Sequence, residues 1–329
     1  MRLSLCIVGC GRYARSVLEE IHDMTEELQL FFASRDSAKA KEYCDTFGGA
    51  GHFGSYEEAV SDPRVQAAYF FTPHHLHLEN ARLAARHSKH ILMEKPIAPT
   101  LDESRAMIRA AEQAKVTLMV AENYRFMPTV QKCGELIRQG RVGDLRLVEI
   151  HHESYEQHTG WRTKNEYRGG GSFIDGGIHA VDMMLSFGGI PDRVYASTLP
   201  RLSDDVEGED GLLMMGRLPG AATGLISYSS ATPTGRPRQS VSVTGAKGQI
   251  RFTPYGNEVT LETPDGVDVF RTPGAGSGVP SMLREFRASI FEGRAPIMSS
   301  QEALSDLAVV LAAYESVAQG QAVTVALDH

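Results

Sequence analysis

Short apolar runs alternate with amphipathic stretches over the first third of the chain, and this pattern constrains the fold more than any other feature. Parallel strands that are covered on both faces are apolar nearly throughout, and amphipathic crossover helices connect them. The sequence therefore predicts an α/β domain with a doubly wound parallel sheet at the N-terminus. The predicted strands are residues 3–8, 28–34, 67–71, 90–93 and 117–120.

A glycine-rich motif follows the first predicted strand. Gly9, Gly11 and Ala14 form GxGxxA, with Arg12 and Tyr13 inside it. Between a strand and a helix, the first glycine permits a tight turn and the second lets the backbone approach a pyrophosphate. The N-terminus of the helix then presents free N–H groups to the anion. We therefore predict a Rossmann domain that binds a dinucleotide through this loop.

The end of the second predicted strand bears on which dinucleotide is bound. Ser34 stands where an acidic residue would bind the ribose 2′-hydroxyl of NAD(H), and Arg35 follows it. A guanidinium offers forked donors to a 2′-phosphate, so NADP(H) is favoured. If Arg35 is a solvated loop residue and Asp36 caps the next helix, NAD(H) remains possible.

From about residue 143 the pattern changes to longer strand-like segments with turn signals between them. This change predicts a C-terminal α+β domain with a large, mostly antiparallel open sheet. We expect an NAD(P)-binding domain at 1–121, a substrate-binding and oligomerisation domain at 122–329, and an active site in the crevice between them. The predicted elements are strands 145–155, 193–198, 211–218, 222–230, 239–244, 249–252, 267–271 and 322–325 and helices 281–292 and 301–318.

Composition excludes several classes of partner. The chain carries 41 acidic and 33 basic residues, a net charge of −8 that repels nucleic-acid backbones and anionic membranes. The apolar run at the N-terminus is too short for a signal peptide or a membrane span. The cysteines show no CxxC spacing and are typical of core thiols in a reducing compartment. We therefore expect a cytoplasmic protein without nucleic-acid or membrane partners.

Further segments extend the pattern along the chain. Thr72-Pro73 and His77 follow the third predicted strand, and an EKP turn at 94–96 follows the fourth. Later segments are AENYRF at 121–126, GWR at 160–162 and GGGSFIDGGIHAVD at 169–182. Together with the glycine loop, these segments resemble the glucose-fructose oxidoreductase, inositol dehydrogenase and MocA (Gfo/Idh/MocA) family over nearly the whole chain.

The resemblance implies an NAD(P)-dependent oxidoreductase that transfers hydride between nicotinamide and a secondary alcohol or ketone of a sugar, polyol or related compound. It implies that Lys95, Asp175 and His179 line the substrate site, with the lysine and histidine moving protons. Ser88 departs from the family pattern, which often has glycine there, so a turn conformation is in question. The implied cofactor-lining residues after the third and fourth strands are Thr72, Pro73, His77, Glu94 and Lys95.

Residue chemistry points to catalytic candidates independently, because hydride transfer from an alcohol needs a proton acceptor. Lys95 follows a strand at the edge where doubly wound folds bind ligands, and oxidised nicotinamide would disfavour its ammonium form. Asp175, His179 and Asp182 are spaced to share one face of a predicted helix. Histidine suits proton transfer, and Asp175 could orient His179 or bind a substrate hydroxyl. Asp182 is either a substrate contact or a carboxylate with a structural partner.

Other polar and aromatic residues could bind a polyhydroxylated ring. Trp161, the one tryptophan, is either a core anchor or a binding platform. Arg125 and Arg162 either contact substrate or pair with carboxylates. The remaining substrate-binding candidates are Asn123, Tyr124 and Tyr155.

Three other functions compete with a dehydrogenase. A metal hydrolase would use the histidines at 151–179, but HExxH is absent and His151 and His152 would point to opposite faces of a strand, so we expect no metal. A glycosidase of the same fold could use bound NAD transiently. A non-catalytic sensor could bind the dinucleotide and a partner protein, although the intact set of Lys95, Asp175 and His179 argues against it.

Oligomerisation is indicated by the second predicted sheet. Segments 212–218 and 225–228 carry more apolar residues than one covered face needs. We therefore expect a homodimer or homotetramer that forms through this sheet and acts on a small polyhydroxylated or carbonyl substrate.

Overall fold

The computed structural model describes residues 1–204, 206–233, 235–274 and 276–327. The chain divides into two units, of which the first contains Met1–Ala121 and Val279–Leu304. The second contains Glu122–Gly278 and Ser305–His329. The chain thus leaves the first unit at the predicted boundary after Ala121, but it returns to that unit for a segment that we predicted in the second domain.

The first unit is built on a parallel sheet, which confirms the predicted doubly wound fold. Within the described ranges its strands lie in the order β3-β2-β1-β4-β5-β6, and neighbouring strands are parallel. The strands are β1 (Leu3–Val8), β2 (Leu28–Ala33), β3 (Gly51–Phe53), β4 (Ala67–Phe70), β5 (His90–Met93) and β6 (Leu118–Val120). The helices that connect them are α1 (Arg12–Glu20), α2 (Ser37–Thr46), α3 (Tyr56–Ser61), α4 (His77–Arg86) and α5 (Leu101–Ala114).

Strand order reverses between β1 and β4. The chain moves outward from β1 through β2 to β3, then crosses back to start β4 on the other side of β1. Loops that leave the carboxyl ends of strands at such a reversal diverge and leave a crevice in which doubly wound folds bind ligands. The glycine loop, which follows β1, lies at this point.

Helix α9 (Val279–Glu292) explains why the late segment belongs to the first unit. Met282, Leu283 and Phe286 on this helix are fully buried. Its exposed face is also tied to the N-terminal part of the chain, because Arg284 Nε donates to Glu27 Oε1 over 3.1 Å. This packing joins segments far apart in sequence, and periodicity alone does not reveal it.

The second unit is built on a larger sheet that is mostly antiparallel, as predicted. Among the described residues the strand order is β14-β13-β12-β11-β7-β10-β9-β8-β15. The pairing is antiparallel except between β7 and β10, which run parallel. The strands are β7 (Leu145–Glu153), β8 (Arg193–Thr198), β9 (Gly211–Arg217), β10 (Thr223–Ser229), β11 (Arg238–Gly245), β12 (Gln249–Phe252), β13 (Glu258–Thr263), β14 (Gly266–Arg271) and β15 (Val323–Thr324).

One face of this sheet packs on α8 (Ile178–Gly188), which is rich in buried apolar residues. A Cβ at Gly224 of β10 would lie 2.4 Å from Met184 Sδ, so the missing side chain lets helix and sheet approach closely. The unit also contains α6 (Pro128–Arg138) and α7 (Asn165–Arg168), and α10 (Ser300–Gln319) crosses the boundary between the two units.

Ser88 adopts the left-handed conformation that glycine favours, with φ of 55°. It ends helix α4 in a Schellman arrangement, in which Lys89 N–H donates to Ala84 O and Ser88 N–H donates to Ala85 O. Ser88→Gly is therefore expected to raise the free energy of unfolding by about 0.5 to 1 kcal/mol, because the left-handed strain of a Cβ is removed. Urea denaturation measures the change. Ser61→Gly at an exposed helical position should lower stability instead, and a loss in both variants would contradict the argument.

Candidate active site

The turn between β1 and α1 has the geometry of a dinucleotide-binding loop. Gly9 has φ of +100°, and a Cβ there would lie 2.8 Å from the carbonyl oxygen of Phe71. Only glycine meets both conditions without strain. The tight turn that follows β1 therefore depends on Gly9.

The N-terminus of α1 has room for an anionic group. Gly11 is the N-cap residue, and no side chain caps the first turn. A Cβ at Gly11 would meet no atom within 4 Å, so space remains beside the backbone N–H groups of the first turn. A helix N-terminus of this kind attracts phosphate through its N–H donors and its dipole. The loop thus fits the pyrophosphate of a dinucleotide.

The residues that follow β2 are held by a short polar network. Ser34 is buried, and its Oγ accepts a hydrogen bond from Asp36 N–H at 3.2 Å. Asp36 caps α2 by accepting hydrogen bonds from the N–H groups of Ala38 and Lys39. Arg35 between them is exposed, so the arrangement under which NAD(H) remains possible, with Asp36 as the cap of the next helix, is the one observed. Burial raises the pKa of Tyr56, and the nearby Arg35 guanidinium opposes this rise.

His77 connects the loops that follow β4 and β5. Its side chain is fully buried, with Nε2 3.0 Å from Thr72 O and Nδ1 3.0 Å from Pro96 O. Burial lowers its pKa to about 4, so the imidazole is neutral at physiological pH. The predicted cofactor-lining residue His77 thus lies between the two loops, and its neutral ring has one N–H to donate to a backbone carbonyl.

The EKP turn follows β5 directly. Glu94 is buried, and the Tyr69 hydroxyl donates to its Oε1 over 2.7 Å. Lys95 is half-buried, and a cis peptide bond joins it to Pro96. Because β1, β4 and β5 are parallel neighbours, the glycine loop, Thr72 and Lys95 lie along the same edge of the sheet. This edge therefore combines the predicted cofactor loop with the predicted catalytic lysine.

In the second unit, a π-helical turn at Phe173–Gly177 precedes α8. A Cβ at Gly176 would lie 2.0 Å from the Tyr228 hydroxyl, and one at Gly177 would lie 2.3 Å from the Phe173 ring. Asp175 lies in this wide turn, whereas His179 and Asp182 lie in α8. The prediction that all three share one face of a regular helix therefore needs correction, because tight packing at the two glycines accompanies an irregular turn.

The three titratable residues of this segment have different partners. Asp175 is buried, and Arg162 Nε donates to its Oδ2 over 3.2 Å. The Arg162 guanidinium also lies 4.5 Å from the centre of the half-buried Trp161 ring. Trp161, Arg162 and Asp175 thus form one cluster, which combines an apolar surface with hydrogen-bonding groups.

His179 is paired with a residue that the sequence does not single out, Glu122. The His179 Nδ1 atom lies 2.5 Å from Glu122 Oε1. The Tyr124 ring stacks on the imidazole with a centroid distance of 4.2 Å and an interplanar angle of 8°. A carboxylate inside the AENYRF segment, next to three predicted pocket residues, was the signal that could have identified Glu122.

The other predicted substrate contacts are differently placed. Asp182 is fully buried and forms an ion pair with Arg125, which favours the structural alternative for both. Asn123 is buried, and its Nδ2 donates to Ser277 O over 2.6 Å. Tyr155 is exposed and lines a cavity of about 240 Å³ with His158, Asp210 and Ser230.

The described part of the chain offers neither a metal site nor a membrane segment. No group of three or more His, Cys, Asp or Glu residues in it could hold a metal ion. None of its helices has the length and apolar character needed to cross a bilayer.

Comparison with known proteins agrees with this geometry. Residues 3–122 match the model described as "Oxidoreductase family, NAD-binding Rossmann fold", and residues 130–251 match that of the "GFO/IDH/MocA C-terminal domain". The chain belongs to the Gfo/Idh/MocA oxidoreductase family. The predicted resemblance is thereby confirmed across both units.

Similar members of this family include sugar dehydrogenases. D-xylose 1-dehydrogenase (NADP(+)) 2 of Haloferax volcanii is 31% identical, covering 88% of this chain and 90% of the relative. D-apiose dehydrogenase of Paraburkholderia graminis is 27% identical, covering 98% and 89%. The crystal structure of the aldose-aldose oxidoreductase of Caulobacter crescentus complexed with glycerol is 26% identical, covers 98% of this chain and 100% of that one, and superposes with a TM-score of 0.89.

Proposed function

We propose that this protein is an NADP(H)-dependent dehydrogenase or reductase that interconverts a secondary alcohol and a ketone on a sugar or polyol. This proposal depends on one observation at the edge of the first sheet. The N-terminus of α1 follows β1, Lys95 follows β5, and β4 lies between these two strands. The similarity to a D-xylose dehydrogenase and to a D-apiose dehydrogenase supports a sugar as the substrate.

The cofactor would be held chiefly by backbone groups of the first unit. Gly9 and Gly11 shape the pyrophosphate loop, and Arg35 presents an exposed guanidinium after β2. When bound, the nicotinamide supplies or accepts the hydride. The other residues that we assign to its binding are Arg12, Tyr13, Ala14, Ser34, Thr72, Pro73, Glu94 and Lys95.

Proton transfer is assigned to Lys95 and to His179. Lys95 is half-buried at the ligand-binding edge of the first sheet, and His179 carries an accessible imidazole in the second unit. Either group can exchange a proton with a substrate hydroxyl as the carbon changes oxidation state. Asp175, Arg162 and Trp161 are assigned to the sugar, because carboxylate, guanidinium and indole groups bind hydroxyls and ring faces.

Arg35 is the residue that we expect to select NADP(H). Arg35→Ala should weaken NADPH binding about 10- to 100-fold, because charge-assisted hydrogen bonds to the 2′-phosphate are lost. NADH affinity should change little. Fluorescence titration with both nucleotides measures this difference, and Arg86→Ala in α4 serves as an exposed-arginine control. If the affinities for NADPH and NADH fell equally, or if neither fell, Arg35 would not select NADP(H). The NAD(H) alternative would then be retained.

A substrate panel tests the function itself. NADP⁺ or NADPH would be mixed with sugars, inositols, keto-sugars, dihydrodiols and glycosides, and the nicotinamide absorbance followed. Net absorbance change with a sugar or polyol is the expected result. Glycoside cleavage without net cofactor turnover would identify the transient-redox glycosidase, and dinucleotide binding without any turnover would identify a sensor.

We further propose that the protein forms homo-oligomers through the second sheet and resides in the cytoplasm. Tyr195, Leu213 and Met215 are exposed on adjacent strands β8 and β9, and Tyr195 pairs with Met215. An apolar face of this kind supports association of subunits.

All four cysteines are free thiols, which supports a reducing compartment.

A further inference from the structure

The Glu122 carboxylate is held in position by a hydrogen bond from its own segment of the backbone. Its side chain is 1% exposed, and it follows β6 as the N-cap of the short helix Asn123–Phe126. Oε1 accepts a hydrogen bond from Tyr124 N–H at 3.2 Å and lies 2.5 Å from His179 Nδ1. A backbone donor therefore sets the position of the oxygen that faces the imidazole.

The imidazole is constrained on its face as well as at Nδ1. The Tyr124 ring covers it in a nearly parallel stack. Tyr124 is itself fixed, because its hydroxyl accepts a hydrogen bond from Gln239 Nε2 at 3.3 Å and Tyr255 packs edge-on against its ring. Rotation of the histidine ring would break the contact with Glu122 and the stack on Tyr124 together.

The two ring nitrogens of His179 have different surroundings. Nδ1 faces Glu122, whereas Nε2 has no hydrogen-bond partner among the described residues, and the side chain retains 13% of its exposure. An ionised carboxylate only accepts hydrogen bonds, so the nitrogen that faces it must carry a proton. In the neutral ring, Nε2 is then the unprotonated atom.

We propose that Glu122 is a positioning residue that holds His179 in the Nδ1–H tautomer, so that Nε2 is the ring nitrogen that accepts and returns a proton during turnover, beside the proton exchange assigned to Lys95. This inference rests on the proposed function. Carboxylates that orient a catalytic imidazole act in this way, since the wrong tautomer presents N–H where a base is required.

The other carboxylates of this segment are paired with arginines, so we assign the positioning role to Glu122. Asp175 is held by Arg162, and Asp182 is held by Arg125. His152 on β7 is the nearby imidazole, and burial with the proximity of His179 lowers its pKa to about 4. Burial also raises the pKa of Tyr124 well above its usual value. Both rings are therefore neutral near pH 7, and Glu122 is the carboxylate that faces His179.

The tautomer can be measured without any substrate. Protein labelled with ¹⁵N-histidine, in alkaline buffer, gives long-range ¹H–¹⁵N spectra in which the protonated ring nitrogen is identified, and His179→Gln assigns the signal. Wild type should show a proton on Nδ1, and Glu122→Gln should shift the population toward Nε2–H. A wild-type Nε2–H tautomer would overturn the proposal.

Kinetics provide the second readout. Glu122→Gln is expected to lower kcat about 10²-fold with KM and NADPH affinity nearly unchanged, because general base catalysis is impaired while binding is kept. Glu122→Asp should restore part of the rate. In a His179→Gln background the Glu122→Gln change should cost little more, as expected for residues that act as a unit.

The outcomes separate this inference from the proposed function. If wild type turns over no compound of the panel, the proposed function fails, and the tautomer spectra still decide whether Glu122 positions the ring. If wild type is active and Glu122→Gln keeps both kcat and the Nδ1–H tautomer, the inference fails alone. Should Glu122→Gln not fold, as judged by melting and NADPH binding, the wild-type spectrum and Glu122→Asp decide the question.

Discussion

Replacing Lys95 by alanine is expected to lower kcat about 10³-fold, because a positioned acid or base typically contributes 10²- to 10⁴-fold to such a reaction. The dinucleotide should still bind although Lys95 is one of the residues assigned to its site, since its phosphates are assigned to the loop at Gly9 and Gly11 on the neighbouring part of the sheet edge. Steady-state rates on an active sugar, with NADPH titrated by fluorescence, measure the two effects separately.

Two further variants separate proton exchange from positive charge. Lys95→Arg keeps a cation, but a guanidinium stays protonated up to about pH 12, so turnover should remain low if the lysine exchanges a proton. Lys41→Ala removes an exposed lysine of α2 and should be neutral. Full activity in Lys95→Ala, or recovery in Lys95→Arg, would exclude proton transfer by Lys95.

Gly171→Ala is expected to destabilise the second unit by about 3 kcal/mol or more, because overpacking against backbone has no easy relief. A Cβ there would lie 1.6 Å from Glu209 Oε2 and 2.6 Å from Glu209 N. The Glu209 carboxylate cannot move freely, since it accepts hydrogen bonds from Phe173 N–H and the Tyr314 hydroxyl. Chemical denaturation followed by circular dichroism measures the loss.

The matched control is Gly235→Ala, where a Cβ would meet no atom within 4 Å. Its stability should be unchanged or slightly increased. Glu209→Ala removes one of the two clashes, so the double variant Gly171→Ala/Glu209→Ala should lose less stability than the separate losses added together. A Gly171→Ala protein as stable as the Gly235→Ala control would refute the close approach.

Local sequence patterns were sufficient to predict most of the fold. The runs at 3–8, 90–93, 193–198 and 249–252 form strands with the predicted bounds. Strand β3 (Gly51–Phe53) was missed because it is three residues long and lacks a fully buried position. Strand β13 (Glu258–Thr263) was missed because acidic and polar side chains interrupt its apolar positions. Both are stabilised by neighbouring strands, which a local pattern does not show.

The sequence offered candidate residues for the site, but it did not reveal which of them are partners. The motifs proposed Lys95, Asp175 and His179, and the spacing suggested Asp175 as the group that orients the histidine. The observed pair is His179 with Glu122, which lies far away in sequence. Such pairs depend on how residues 122–126 pack against α8, and sequence spacing reports only neighbours within one element.

The return of Val279–Leu304 to the first unit affects the order of events during synthesis. A ribosome makes the whole parallel sheet early, yet α9, whose apolar side chains are buried in the finished protein, emerges only after the mixed sheet has been made. The nucleotide-binding unit therefore cannot be completed in the usual N-terminal-first sequence of domain folding. Its nascent form must lack the packing of α9 against α1 until residues 279–292 have been translated.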